Sequence, residues 1–356
     1  MNSTVYLHVG PHKTGTTYVQ GLLMRNCDRL AEQGVLYPRK TFRNQGRAVR
    51  EALGRGKMPA TGADVTGAWP KLAAELSAWD GRAVLSHEMM ASASAAEIKR
   101  MLKALGDSTV HVIYTARDLT RVAPAMWQTG LRSRQPFSWE YYAQSLRHPD
   151  SDHGPWGKRF WSSQYAPDAL ARWRKHLPAD RLHVITVPRA GSAPELLWQR
   201  FCSVLGVDPS GHDLQPPRSN PSLGTAEAEL LRRVNEQLAA TDVDSSRSLF
   251  WIRWLGRQLE NRPDMSKFTL PAEDFEWMAD RSRGVVEGLR DGGYHVVGDL
   301  SDLLPQPVDP ARAKHPSDTD DHAVLDVAVD ALHRTVRELT LHKRAARPGD
   351  AEPDDY

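Results

Sequence analysis

Thr4-Val-Tyr-Leu-His-Val-Gly10, then Pro11-His-Lys13-Thr14-Gly15-Thr16-Thr17, then Tyr18-Val-Gln-Gly-Leu-Leu23 is the stretch on which the fold turns. It reads as strand, tight loop and helix. Val5, Leu7 and Val9 alternate with Tyr6 and His8, the period of two expected of a strand. Gly10 and Pro11 end that strand. Gly15 stands where a backbone must turn sharply or lie against a ligand. The amides of Gly15, Thr16 and Thr17 then fall on the first turn of a helix. They lack intrahelical partners and sit at the positive end of the helix dipole, so the site suits an anion. Lys13 adds a full charge, and the hydroxyls of Thr14, Thr16 and Thr17 add donors. The same residues would also serve as a structural turn capped by threonines.

Working outward, Ala83–Ser86, Val110–Thr115 and Leu182–Val187 read as further strands, and Tyr294–Val297 as an edge strand. Gly34–Pro38 is a short extended piece. Helices are expected over Thr17–Arg29, Ala48–Leu53, Trp69–Trp79, Ala95–Leu105, Pro167–His176 and from Asp118 to about Leu131. Ser192-Ala-Pro-Glu195 reads as a capping box opening a helix that Gly206 stops. Residues 225–263 look helical. Strands alternating with helices at this spacing give an α/β protein with a central parallel sheet flanked by helices, a three-layer P-loop-like fold. Ligands of such sheets bind beyond the carboxyl ends of the strands. The loops Pro11–Thr17, His87–Met90, Arg117–Arg121 and Pro188–Ser192 should therefore converge.

The expected layout is an α/β domain at 1–305, a Pro- and charge-rich linker at 306–322, a C-terminal helical appendage at 323–347 and an acidic, disordered tail at 348–356. In the appendage, Leu325, Val329, Leu332, Val336 and Leu339 repeat at four, three, four and three, a heptad-like seam. The seam either packs back on the parent domain or makes a homodimer. Residues 148–164 are polar, aromatic and punctuated by Gly and Pro, which suits either a lid over an acceptor or an ordinary surface loop.

Net charge is +2, so bulk charge does not make the chain a nucleic-acid binder. Residues 1–60 nevertheless hold ten Lys and Arg against three acids, around the proposed anion loop. Cys27 and Cys202 are far apart and form no CxxC pair, which fits packing thiols in a reducing compartment. No run of about 18 apolar residues occurs and the N-terminus lacks a signal-peptide pattern, so no transmembrane segment and a cytoplasmic location are expected.

The loop is not a Walker A loop, whose Lys directly follows the second Gly. Here Lys13 precedes Gly15 by two residues. Lys13-Thr-Gly-Thr-Thr17, with His12 in front and Tyr18-Val-Gln20 behind, resembles the 5′-phosphosulfate loop of sulfotransferases that use 3′-phosphoadenosine-5′-phosphosulfate (PAPS), most of all the bacterial and glycan-type members. Leu197–Val207 and Arg218-Ser-Asn-Pro-Ser-Leu-Gly224 are similar to later segments of bacterial sulfotransferase-like proteins. The resemblance covers roughly residues 1–305.

That resemblance implies transfer of a sulfuryl group from PAPS to a hydroxyl of a carbohydrate, glycolipid or natural product, without a metal. His12, Lys13, Thr14, Gly15, Thr16 and Thr17 would cradle the 5′-phosphosulfate. Arg117, directly after a strand, matches the family's 3′-phosphate arginine. The family's serine eight residues later is Ala125 here, and Thr120, Arg121 or Gln128 would have to replace it. Lys13 would stabilise the leaving group. Glu88 or His87, which follow a strand, would take the hydroxyl proton, with Glu88 preferred. The rival readings are a P-loop nucleotide kinase or hydrolase and a non-catalytic nucleotide-binding module.

Overall fold

The computed structural model describes residues 3–38, 42–58, 62–152, 154–215, 222–241, 243–306, 315 and 318–345. Its strands are β1 (Thr4–His8), β2 (Val35–Leu36), β3 (Arg82–Ser86), β4 (Thr109–Ala116), β5 (Leu182–Thr186) and β6 (His295–Val297). Every pairing between them is parallel, in the order β2-β3-β1-β4-β5-β6. The protein is α/β, with helices flanking a central parallel sheet.

The register assigns each side chain a face. Tyr6 lies opposite Val84 on one side and His111 on the other, and Ile113 follows on the same face as His111. Against that face pack Val19, Leu22 and Leu23 of helix Thr16–Arg25 and Trp198, Phe201 and Leu205 of helix Leu196–Leu205. Val5, Leu7, Leu85, Val112, Tyr114 and Val184 alternate to the other face and are also buried. There the Tyr114 hydroxyl donates to the Ser163 carbonyl at 2.6 Å. Central strands buried on both faces are what a parallel sheet between helical layers requires.

β1 sits between β3 and β4, so the chain's connections run to opposite sides of it. Loops leaving such a switch point diverge and open a crevice at the carboxyl ends of the strands. The loop after β1 enters that crevice.

By its internal contacts the chain divides into two units. The first comprises Met1–Met126, Glu140–Ser219 and Ala272–Pro307 and holds the whole sheet. The second comprises Trp127–Trp139, Asn220–Pro271 and Val308–Tyr356. It includes helices Thr225–Ala239, Ser245–Gln258 and Asp321–Ala345. Trp127, Trp139 and Phe268 form an aromatic cluster in it, with ring centroids 5.0–5.9 Å apart. Arg262 joins Glu227 and Asp330 at 2.6 and 2.8 Å. The linker expected at 306–322 falls largely outside the described residues, as do the tail at 348–356 and residues 218–221.

Several local expectations need correction. The first helix breaks at Asn26 into Thr16–Arg25 and Cys27–Glu32. The Asn26 side-chain amide donates to the Leu22 and Asp213 carbonyls and accepts from the Asp213 amide, tying the break to a distant segment while the backbone bonds Asn26 to Leu22 and Leu30 to Asn26 persist. Residues 225–263 likewise form two helices. The Ser192–Glu195 capping box does not form. Gly191 turns the chain at φ 87°, Ser192 N–H closes a turn on Arg189, and the helix starts only at Leu196. Gly206, at φ 65°, does end that helix. Phe42–Ala52 is a full helix rather than a short one. Residues 155–164 are a helix with Phe160 buried and Trp161 Nε1 bonded to the Leu146 carbonyl, which corrects the reading of 148–164 as a lid or surface loop. Among the described residues no helix is long and apolar enough to cross a membrane.

Trp198 is fully buried and stacked on Phe201 at 5.9 Å. Trp198→Ala should cost about 3–5 kcal/mol, read as a fall in the denaturant midpoint. A change under about 1 kcal/mol would mean that this helix does not pack on the sheet as described.

Candidate functional site

The loop is shaped by two residues in the left-handed region, Lys13 at φ 69° and Gly15 at φ 83°. For glycine this costs nothing, and it delivers the chain into the helix that starts at Thr16. For lysine it is strained, and such strain persists only where neighbours enforce it. Two neighbours do. Arg117 Nη1 donates to the Lys13 carbonyl at 2.8 Å, and Gln164 Nε2 donates to the His12 carbonyl at 2.8 Å. Leu197 closes the loop from beneath, where a Cβ on Gly15 would meet its Cδ2 at 2.5 Å.

Under the loop runs a chain of buried hydrogen bonds whose direction follows from proton counting. The Thr14 hydroxyl donates to the Pro11 carbonyl at 2.7 Å. Its 2.7 Å contact with Thr115 must then be donated by Thr115. The Thr115 hydroxyl has no second proton, so the 3.3 Å contact with His8 Nε2 is donated by His8. His8 Nδ1 is then the acceptor of the Ser86 hydroxyl at 2.7 Å. The chain is satisfied only with His8 neutral. Burial agrees, pushing the His8 imidazole down to about 3 despite the nearby Glu88 carboxylate. Gly10 is the floor of this network: a Cβ there would lie 2.0 Å from Thr115 Oγ1 and 2.6 Å from His8 Nε2.

The expected site residues therefore divide by role. The Thr14 hydroxyl is spent inside the loop. The Thr16 and Thr17 hydroxyls make no hydrogen bond with the described residues, and Thr17 is exposed. Arg117 and Arg121 flank the loop. Neither has a carboxylate within ion-pair distance among the described residues. Asp118, the obvious partner, accepts instead from the amide and hydroxyl of Thr120 at 2.9 and 2.8 Å, capping the next helix. Arg121 reaches the Pro188 carbonyl at 3.4 Å, and Arg117 Nε is buried without a partner. Burial, together with the neighbouring Arg121 charge, holds the Arg117 guanidinium down to about 10, still fully charged at neutral pH. A half-buried cation with an orphaned Nε and no ion-pair partner among the described residues is a group suited to an anion, even with the Asp118 charge nearby favouring its ionised form. Gln128 is not available as a third partner. Its amide is held in both directions by the backbone of Leu223, at 2.9 and 3.0 Å.

On the other side of the loop stands Glu88. His12 Nδ1 lies 3.6 Å from one carboxylate oxygen, and His87 Nδ1 3.8 Å from the other. Gln20 Nε2 donates to Glu88 at 3.3 Å. Burial pushes this carboxyl up, but His87, His12 and Gln20 outweigh burial and hold it below the usual carboxylate range. Glu88 is thus a carboxylate at neutral pH. Burial lowers both histidines, while the Glu88 carboxylate pulls them back up. His87 is 4% exposed, and its Nδ1 accepts the Met89 amide, which caps a short 3-10 turn. That makes His87 part of the turn presenting Glu88. Arg172 ties the same turn down, donating to the carbonyls of Ala91 and Ala93 at 2.9 Å.

Three of the four expected loops thus touch in pairs around Lys13: His12 with Glu88, and Lys13 with Arg117. The fourth joins through Arg121 and Pro188. Sequence reasoning missed His8, Ser86 and Thr115 beneath the loop, Gln20 beside Glu88 and Gln164 over His12. Gln20 was findable, since it lies one helical turn after Thr16 and shares its face. Comparison with models of known families, with curated proteins and with solved structures found no match to this chain.

His8 carries a pH prediction. Folded, it stays neutral down to about 3, whereas an unfolded histidine protonates near 6.5. The unfolded chain therefore binds more protons between those values, and stability is lost as pH falls through that window. One such group contributes a slope of at most about 1.4 kcal/mol per pH unit. Denaturant unfolding followed downward from pH 6.5 should lose stability more steeply in the native chain than in His8→Gln. Equal slopes would contradict a buried neutral His8.

Proposed function

We propose that the chain is a PAPS-dependent sulfotransferase with a P-loop-like site, acting on a hydroxyl of a carbohydrate, glycolipid or natural product. The observation that carries this reading is Arg117: a half-buried guanidinium with an orphaned Nε and no ion-pair partner among the described residues, bonded to the backbone of the Lys13 loop. That contact supports reading the loop and the strand-end arginine as one cationic site with two anion-binding ends, as a donor with phosphates at 3′ and 5′ requires.

The residues fit that donor. The amides of Gly15, Thr16 and Thr17 and the two unspent hydroxyls would hold the 5′-phosphosulfate, with His12 and Thr14 shaping the loop. Arg117 and Arg121 would hold the 3′-phosphate. The donor supplies the sulfuryl group. Glu88, ionised at neutral pH, accepts the acceptor hydroxyl's proton as the new oxygen–sulfur bond forms and the bridging one breaks. Lys13 stabilises the negative charge left on the departing 5′-phosphate. Gln20 orients the carboxylate, and His87 caps the turn that presents it.

Transfer of labelled sulfate from PAPS to a panel of sugar, lipid and phenol acceptors tests the reading. Lys13→Ala should cut the rate by roughly 10²–10³. Glu88→Gln should abolish transfer with little change in PAPS affinity. Undiminished transfer in Glu88→Gln would remove Glu88 as the base. No transfer to any acceptor, despite PAPS binding, would favour a non-catalytic nucleotide-binding module.

A further inference from the structure

The 25-residue helix Asp321–Ala345 carries two apolar stripes, and the parent unit uses only one. Val324, Val327 and Ala331 are buried at 5, 2 and 4% exposure. The same stripe continues to Arg334, which donates to the Gln258 carbonyl at 3.1 Å, and to Glu338, which accepts from the Gln258 amide at 3.0 Å. These positions recur at three, four, three and four. They fasten the helix to its own unit.

Leu325, Val329, Leu332, Val336 and Leu339 lie on a different face, and all are 52–64% exposed. They repeat at four, three, four and three. In heptad terms both valines fall at a and all three leucines at d, while the buried stripe falls at c and f, on the far side of the helix. The seam therefore does not pack on the parent unit among the described residues. β-Branched residues at a with leucine at d is the combination that favours two parallel strands over three or four. The best partner for such a stripe is an identical one, because each valine and leucine then meets its own counterpart across a two-fold axis. The flanking e and g positions from Asp326 to Thr340 are Asp326, Ala328, His333, Thr335 and Thr340, with a single acid and no Lys or Arg to specify a differently charged partner.

We propose that this seam is a homodimer interface, a short parallel two-stranded coiled coil between the Asp321–Ala345 helices of two copies of the chain. Five apolar side chains per copy make a small interface, so the dimer is concentration dependent.

Light scattering on the full chain at high-micromolar concentration should give twice the 39.8 kDa chain mass, falling toward the single mass on dilution. Val329→Asp with Leu332→Asp should hold the chain at the single mass. The fold should persist, because both side chains are exposed on the chain alone. Leu341→Asp, also exposed but at an f position, should leave the dimer intact. Val329→Cys should form an inter-chain disulfide under mild oxidation, since a positions face each other only in a parallel pair. A single mass at every concentration, a trimer, or a dimer indifferent to the double substitution would overturn the proposal. A dimer without the Val329→Cys cross-link would overturn its parallel orientation.

Discussion

Everything at the carboxyl end of the sheet rests on the buried hydrogen-bond chain from Ser86 through His8, Thr115 and Thr14 to the Pro11 carbonyl. It joins the ends of β3, β1 and β4 to the loop that leaves β1. Its members are neutral and buried, and every one has its hydrogen-bond partners, the condition under which an interior polar network rigidifies rather than destabilises. The loop above it is strained at Lys13, and that strain needs a rigid support. Gly10 makes the support possible, since a larger residue there would displace the histidine and the threonine together.

On that base the site separates two electrostatic tasks. One flank is cationic, with Lys13, Arg117 and Arg121 and the start of a helix. The other is the Glu88 carboxylate, bonded by Gln20 with His12 and His87 beside it. If Arg117 had taken Asp118 as an ion-pair partner, its charge would be spent locally. Thr120 prevents this by capturing Asp118 as a helix cap. A small capping interaction thus leaves the arginine's charge available. Local charge neutralisation would be the cheaper arrangement for stability alone, because burying an unpaired cation is costly.

The sheet was legible because period-two runs such as Val5, Leu7 and Val9 are bounded by Gly and Pro. The loop was legible because its glycine, lysine and threonines have few other uses together. His8 was not. Alternation marks it as outward-facing, but a central parallel strand has no outward face, so its polar positions must find buried partners that only the fold supplies. Helix 155–164 was hidden by Gly154, Pro155 and Gly157, which read as loop punctuation although Pro sits well in a first helical turn. The heptad seam was visible, but not which stripe the parent unit takes. The parent-facing residues Val324, Val327 and Ala331 are small and look like the weaker face. Asn26 likewise reads as an ordinary helix residue until its partner Asp213 is brought beside it.

The central claim is that the Lys13 loop and Arg117 form one site for a donor with phosphates at both ends. Calorimetric titration with 3′,5′-ADP tests it most directly. The native chain should bind saturably without added divalent metal, and Arg117→Ala should weaken binding by about 10-fold or more, the loss expected for one charged hydrogen-bonding partner. No binding, affinity indifferent to Arg117→Ala, or binding of Mg-ATP in place of 3′,5′-ADP would contradict it.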